Sequence, residues 1–550
     1  MPSGAAELIA ALESYGVNCL FHIPGAETIP LLHEIGRHGG IRPIMVAHEQ
    51  AASFGALGYA KLSGLPGVCL TIPGPGATNL VTGVAAAHAD RIPLLAITTT
   101  IPAKHKGLGA AHDCDIAALF RPIVKRQIAV ARVGEVRDAA SEALRVALEP
   151  PLGPVQLLVP PPLFLAHCAA NNAAVPTRAA ISVPNIAAVA DMLMRAKRPV
   201  IYAGKGVSDA GAKRLLVQLA ERLGAPVLTD ICARGLIDER HPSALGCVSH
   251  RGIVPFLAEG DLCLAIGAGF SDWSTLGWTL PLPRPLIQID SWDAPVGAYE
   301  RTDARAIGDV PGILESLLVA LGDGHVASDV APRIRAVKAE AAELTIHAIS
   351  GARPPPFHPL AVLHAVHDVL PDDTVVVVDG SATGLWAEEE VLAIRRPRGF
   401  LIPEVLKELG SAIMVAMGAR LAPGGPPVVA IQGDGGFLYQ AGELATLVRE
   451  RIPLVIILFD DGFYNADRIV EQHFFGGRKD AWRIGRTDFV TVAEGFGLIA
   501  RRPASIAEIE GDLREALGAD RPMIIVVAID PEPIPYRFEL AKVARSSGVS

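Results

Sequence analysis

Two short acidic runs carry the chemistry most readily read from this chain: Gly433-Asp434-Gly435-Gly436-Phe437 and Phe459-Asp460-Asp461-Gly462-Phe463. Each follows an apolar run, Pro427-Val428-Val429-Ala430-Ile431 in the first case and Leu454-Val455-Ile456-Ile457-Leu458 in the second, and such runs predict buried strands. Between them, residues 440–450 place Leu444, Leu447 and Val448 at helical spacing, which predicts one helix. A strand–helix–strand unit of this length has parallel strands and a right-handed crossover. Ligands of such sheets gather at the carboxyl ends of the strands. Asp434 and Asp461 are therefore expected to face one crevice, beside Gly433, Gly435 and Gly436, which let backbone N–H groups approach an anion. Paired hard oxygen donors next to an anion seat suit a divalent cation that holds a phosphorylated cofactor.

The chain that must position these groups has 550 residues, too long for one core, and about three domains is the natural expectation. Half of it is apolar but only 5% is aromatic, so the core is drawn from Ala, Val, Leu and Ile, as in α/β proteins. The net charge is −9 and no basic cluster is interleaved with aromatics, which argues against nucleic acid as a partner. No apolar run approaches the length needed to cross a bilayer. The start, Met1-Pro2-Ser3-Gly4, lacks a charged n-region and passes directly into a helix-like segment, so no signal peptide is expected. Seven cysteines without a Cys-x-x-Cys pair read as small buried hydrophobes in a reducing cytoplasm.

Alternating strand and helix patterns divide the chain into units at about 1–165, 185–322 and 357–540, each predicted to be a doubly wound parallel sheet. An Ala-, Asn- and Pro-rich linker is expected at 166–184, a charged helical connector before Pro354-Pro355-Pro356, and a disordered tail at 546–550.

Taken together, the Gly-Asp-Gly turn, the second acidic pair at matching spacing, Glu443-Leu444-Ala445-Thr446 and Phe475-Gly476-Gly477-Arg478 resemble the thiamine-diphosphate enzymes, most of all their acetolactate synthase-like branch. The resemblance covers nearly the whole chain. It implies a pyrimidine-binding unit, a central unit and a diphosphate-binding unit, in that order, with Mg2+ held by Asp434, Asp461 and the main-chain oxygen of Phe463. The family usually has Asn where Asp461 stands, and the added negative charge bears on metal affinity. Glu49, in Ala47-His48-Glu49-Gln50, matches the glutamate that relays a proton to the cofactor's pyrimidine. A helix N-terminus also favours a glutamate there, and the relay role predicts burial with a raised pKa. Gly58-Tyr59-Ala60 and Gly74-Pro75-Gly76-Ala77-Thr78-Asn79 accompany it. Gly25 and Asn79 join the implied cofactor contacts, although Asn79 also reads as a helix cap. Leu409-Gly410 matches the pair that bends the cofactor, with the Lys407 carbonyl as acceptor for its amine. His48 is expected to be structural and Gln127 exposed. Relatives face the glutamate of one subunit with the diphosphate unit of its neighbour, which implies a homodimer or homotetramer with interfacial sites.

Three departures bear on the substrate. His112 stands in a loop where acetolactate synthases carry Gln, and an imidazole there could donate a proton or hold a polar group, or simply face solvent. Ala466 and Val470 stand where relatives line the acceptor pocket with an apolar residue and a tryptophan. With Asn465 and Asp467 beside them, the pocket is expected to be roomier and more polar, for substrates other than the usual small oxo acids. Gly267-Ala268-Gly269-Phe270-Ser271-Asp272-Trp273 replaces the Arg-bearing FAD motif, and it and Gly204-Lys205-Gly206 read as tight turns, so FAD is not favoured. The expected activity is thiamine-diphosphate-dependent decarboxylation of a 2-oxo acid, with transfer of the acyl anion to a second carbonyl. Two alternatives stay open: a decarboxylase releasing an aldehyde, and a catalytically silent paralogue serving as a subunit or binding module.

Overall fold

The computed structural model describes residues 1–169, 183–299, 301–322, 330–350, 354–478, 480–485 and 487–540. Most of the expected 166–184 linker, and the whole 546–550 tail, lie outside these residues. The first sheet comprises β1 (Cys19–His22), β2 (Arg42–Met45), β3 (Gly67–Thr71), β4 (Leu94–Thr99), β5 (Arg126–Ala129) and β6 (Pro154–Val159), in the order β2-β1-β3-β4-β6-β5. The second comprises β7 (Pro199–Ala203), β8 (Val227–Thr229), β9 (Ala244–Cys247), β10 (Leu262–Ile266), β11 (Leu286–Asp290) and β12 (Ala304–Ile307), in the order β12-β11-β10-β7-β8-β9. The third comprises β13 (Val375–Val378), β14 (Phe400–Leu401), β15 (Val428–Gly433), β16 (Val455–Asp460), β17 (Ile499–Arg501) and β18 (Met523–Ala528), in the order β14-β13-β15-β16-β18-β17. All the pairings are parallel. Val, Ile and Leu fill the central strands because helices cover both faces of such sheets.

In the third sheet β15 and β16 are neighbours, with Gly433 opposite Phe459, so Asp434 and Asp461 leave adjacent strand ends. The helix expected over 440–450 is present as Glu443–Arg449, and a separate short helix, Asp434–Leu438, precedes it. The chain turns helical at Asp434 itself, and Gly442, a poor helix former, lies at the break. Leu444 and Leu447 are fully buried, and Val448 packs at the edge of the same cluster.

The first and third units meet through two crossing helices, Glu49–Ser63 and Ala412–Arg420. Their backbones touch: a Cβ on Gly58 would lie 2.0 Å from the Val415 carbonyl oxygen, and one on Gly418 would lie 1.8 Å from the Gly55 carbonyl oxygen. Any side chain at either glycine would force the helices apart. Phe54 and Leu57 thereby share one apolar core with Met414, Met417 and Leu444. No helix among the described residues is long and apolar enough to cross a membrane.

Candidate active site

Glu49 is the first residue of its helix, which follows the carboxyl end of β2. His48 caps that helix, its Nδ1 accepting from the Gln50 N–H at 3.1 Å, which is a structural task. Glu49 is half-buried in the single chain, less enclosed than the relay role predicts. Asn79 closes the short helix Pro75–Asn79, and its side chain caps nothing. Its Nδ2 donates to Glu49 Oε2 at 2.9 Å. The other carboxylate oxygen faces Gly76, where an added Cβ would stand 3.4 Å from Oε1 and 2.2 Å from Thr71 Oγ1. Gly25 is equally confined, since a Cβ there would lie 2.3 Å from Ile72 Cγ2. His112 has φ +65° and packs on Gly74, whose Cβ would come within 2.9 Å of the His112 Cα. The His112 ring is not free in solvent: its Nδ1 lies 3.2 Å from Glu27 Oε1. Gly25, Glu49, Asn79 and His112 are thus gathered round one Gly-Pro-Gly turn. Glu27, an acid two residues after Gly25, belongs to this cluster and was not found by sequence reasoning.

A second missed residue ties this half to the third unit. Glu443, 1% exposed, accepts from the N–H groups of Ala47 at 3.1 Å and His48 at 3.0 Å, and from the Thr446 hydroxyl at 2.8 Å. One buried carboxylate thereby fixes the turn that presents Glu49. Burial raises the Glu443 pKa, and the three donors oppose that rise.

In the diphosphate half, Asp434 is buried and both its oxygens are held by backbone donors. Oδ1 accepts from Gly435 N at 2.7 Å and Oδ2 from Gly462 N at 2.7 Å. The second bond stitches the turn after β15 to the turn after β16. Asp461 Oδ1 accepts from Phe463 N at 2.9 Å. Burial, and after it the neighbouring Asp461, pushes Asp434 up to about 8, while burial pushes Asp461 up to about 7 against the opposing pull of the Phe463 N–H and Arg468. Two carboxylates crowded in this way offer a divalent cation hard oxygen donors. The described residues hold no cluster of three or more His, Cys, Asp or Glu side chains suited to a metal. Two carboxylates plus a main-chain oxygen nevertheless suit Mg2+, which keeps waters and phosphate oxygens in its shell.

Gly433, Gly435 and Gly436 line the same turn. A Cβ would lie 3.1 Å from Thr383 Oγ1 at Gly433, 2.8 Å from the Tyr464 ring at Gly435, and 2.4 Å from Asp379 Oδ2 at Gly436. Leu409 Cδ1 would lie 3.3 Å from that last Cβ, which places the expected cofactor-bending residue beside the Asp434 turn. Asp379, fully buried and missed by sequence reasoning, accepts from Gly410 N at 3.0 Å, Gln432 Nε2 at 3.1 Å and Ser381 Oγ at 2.6 Å. The Lys407 carbonyl lies against Gly380 of the same loop, 2.3 Å from where a Cβ would be. Gly436→Ala is therefore expected to break the Asp379 hub, destabilising the protein by about 1–3 kcal/mol. A lowered melting temperature together with weakened cofactor titration would be the reading.

Ala466 and Val470 are half-buried on the helix Asn465–Phe474. Asn465 is buried: its Oδ1 accepts from Arg468 Nε at 2.8 Å, its Nδ2 reaches the Pro531 carbonyl at 3.4 Å, and its side chain also interacts with Asp461, opposing the rise of that carboxyl's pKa. Its amide is used to anchor the helix start. Gln127, expected to be exposed, is half-buried and donates to Ala117 O and Gln156 Oε1, each at 2.7 Å.

A separate cleft of about 410 Å³ lies where the three units meet, and Glu49, Asp434 and Asp461 are not among its lining residues. It opens at the carboxyl ends of β7 and β10, the switch point of the second sheet. The glycines there serve loop-to-loop contact, since a Cβ on Gly204 would lie 2.2 Å from the Gly267 carbonyl oxygen. Lys205 is paired with Asp209 at 3.1 Å, and the walls carry Lys61, Arg91, Arg145 and Arg398 as well as Asp230, Glu404 and Asp290.

Three α/β units, with a glutamate relay candidate on the first and a paired-carboxylate turn on the third, define a class of cofactor enzyme. Family models for thiamine pyrophosphate enzymes match the chain at residues 2–119 (N-terminal TPP binding domain), 186–317 (central domain) and 379–527 (C-terminal TPP binding domain). The chain belongs to the thiamine pyrophosphate, or thiamine diphosphate, enzyme family. It is 31% identical to a probable acetolactate synthase large subunit of Methanococcus aeolicus, over 96% of this chain and 92% of that protein. It is 32% identical to the corresponding protein of Methanocaldococcus jannaschii, over 96% and 92%. It is also 32% identical to a probable 2-ketoarginine decarboxylase of Pseudomonas aeruginosa, over 93% and 91%.

Proposed function

We propose that this protein is a Mg2+-assisted, thiamine-diphosphate-dependent carboligase, which decarboxylates a 2-oxo acid and delivers the acyl fragment to a second carbonyl. The observation that carries this reading is the full-length similarity to acetolactate synthases, in a chain whose two carboxylate-bearing turns meet at adjacent strand ends. Thiamine diphosphate, when bound, supplies the electron sink that lets a carbon–carbon bond beside a carbonyl break. The remaining tasks fall to the chain. Glu49, steadied at Oε2 by Asn79, keeps Oε1 available to hold and return a proton at the pyrimidine ring. Asp434, Asp461 and the Phe463 carbonyl hold the metal, and the bare glycines of the β15 turn give the diphosphate room. Leu409 and the Lys407 carbonyl bend and seat the pyrimidine. His112, beside the Gly74 turn and charge-assisted by Glu27, is placed to pass a proton to substrate.

Glu49 bonds Asn79 on the first unit, and Asp434 bonds Gly435 and Gly462 on the third. We propose that a second copy completes the site around each, in a homodimer or homotetramer. Leu438 and Tyr439, directly after the metal turn, are 42% and 56% exposed, an apolar rim that supports such a contact. The seven unpaired cysteines support a reducing, cytoplasmic setting.

The second reading, a decarboxylase releasing an aldehyde, is supported by His112 and by the similarity to the 2-ketoarginine decarboxylase. Incubation with Mg2+, thiamine diphosphate and a panel of 2-oxo acids separates the two. A coupled 2-hydroxy-ketone product is expected, and aldehyde alone from every acid tested would overturn the carboligase reading.

A further inference from the structure

Lys407 holds a backbone conformation that a residue with a Cβ rarely adopts, at φ +52°. The turn it opens is seated on the loop after β13 by two bonds, from Gly380 N to Glu408 O at 3.1 Å and from Gly410 N to Asp379 Oδ2 at 3.0 Å. Its side chain runs the other way, into the second unit. There Nζ lies 3.9 Å from the centre of the Trp273 ring and 3.8 Å from Glu388 Oε1. The same Glu388 oxygen accepts from Trp273 Nε1 at 2.9 Å, and Oε2 accepts from Ser249 Oγ at 2.8 Å. Arg537 also rides on the Trp273 ring at 4.4 Å and donates to the Trp273 carbonyl. Trp273 and Glu388 thus present a ready-made cation seat, and desolvation of Lys407, which lowers its pKa, is offset there by Glu388 and the ring face. Trp273 ends the Gly267–Trp273 run, for which the site described above has no use.

We propose that Trp273 and Glu388 are positioning residues that hold Lys407 in its left-handed conformation, so that the second unit, through one side chain, sets the turn 407–410 on which the pyrimidine is bent. This rests on the reading that the turn receives thiamine diphosphate. A residue needs such a clamp only if it has a Cβ, because glycine enters this conformation without strain. A ring that merely packed the two units together would take no account of what residue 407 is.

The test uses full-length protein with thiamine diphosphate and Mg2+, comparing W273L, W273L/K407G and W273L/K407A by calorimetric titration of the cofactor. Amide hydrogen exchange over residues 405–411 of the cofactor-free proteins provides the second measure. W273L is expected to bind the cofactor about tenfold more weakly and to exchange faster over the turn. K407G should recover most of that loss and K407A none of it. Equal affinities for the two double variants would overturn the proposal. Should W273L fail to fold, E388Q replaces it in the same comparison, and K407G raising affinity as much with Glu388 intact as in E388Q would overturn the proposal. If the unaltered protein binds no thiamine diphosphate, the functional reading falls, and the exchange rates of the cofactor-free chains still decide whether the clamp exists.

Discussion

Glu49→Gln is expected to lower turnover by about 10²- to 10⁴-fold, the range of a lost general acid–base group, while cofactor affinity changes little. Gln keeps the volume and can still receive the Asn79 amide that now reaches Oε2 at 2.9 Å. It lacks an oxygen able to take up and release a proton. Affinity and turnover should therefore separate. The decisive measurement is exchange of the proton on the reactive thiazolium carbon of bound thiamine diphosphate, followed by NMR. Exchange by E49Q as fast as by the unaltered enzyme would remove Glu49 from the relay. Because Glu443 fixes the two amides just before Glu49, its replacement is a useful contrast: it should disturb affinity and turnover together.

Asp434→Asn should abolish Mg2+-dependent cofactor binding and lower activity by at least about 10²-fold. The variant loses both a carboxylate charge and a strong acceptor for the Gly462 amide. The same site should make metal binding depend on pH. In the metal-free protein Asp434 is raised to about 8 and Asp461 to about 7, so protons compete with Mg2+ below those values. Affinity should climb between pH 6 and 8 and then level off, with protons released on binding. The sign for stability is the reverse. Both groups bind protons more tightly folded than unfolded, so their contribution to the metal-free chain is full below pH about 4 and is lost as pH rises through 7 to 8. Mg2+ should restore stability most at the alkaline end. Asp461→Asn removes the neighbouring charge that helps raise Asp434 and should move the rise in affinity to lower pH. Titrations at pH 6, 7 and 8 giving one affinity throughout would refute this account.

Much of the diphosphate half was legible in the sequence. The runs before Asp434 and Asp461 are dense in Val, Ile and Leu, and only a strand covered on both faces uses such runs. Two such strands joined by a helix can hardly avoid being parallel, which puts both turns at one end of the sheet. Glu49 was legible only through the resemblance, since a glutamate opening a helix is ordinary by itself. Asn465 shows the limit of reading along the chain. Its type suggested a polar pocket wall, and no pattern in the sequence showed that, as the first residue of its helix, it also bonds Arg468 and the Pro531 carbonyl. The expected helix over 440–450 had the right apolar positions, yet its start was set by Gly442 and by the early helical turn at Asp434.

By itself the sequence determined the class of fold and the two turns that carry the acids, because periodicity and glycine placement are local properties that neighbouring residues enforce. Tertiary structure alone decided what those turns meet. Glu443 reaches back to Ala47 and His48, Asp379 joins Gly410 to Gln432, and Lys407 crosses to Trp273 in another unit. These partners lie far apart along the chain, and no spacing rule connects them. They are brought together by the close packing of sheets and helices, where a buried polar group must find whichever donor or acceptor the fold places beside it.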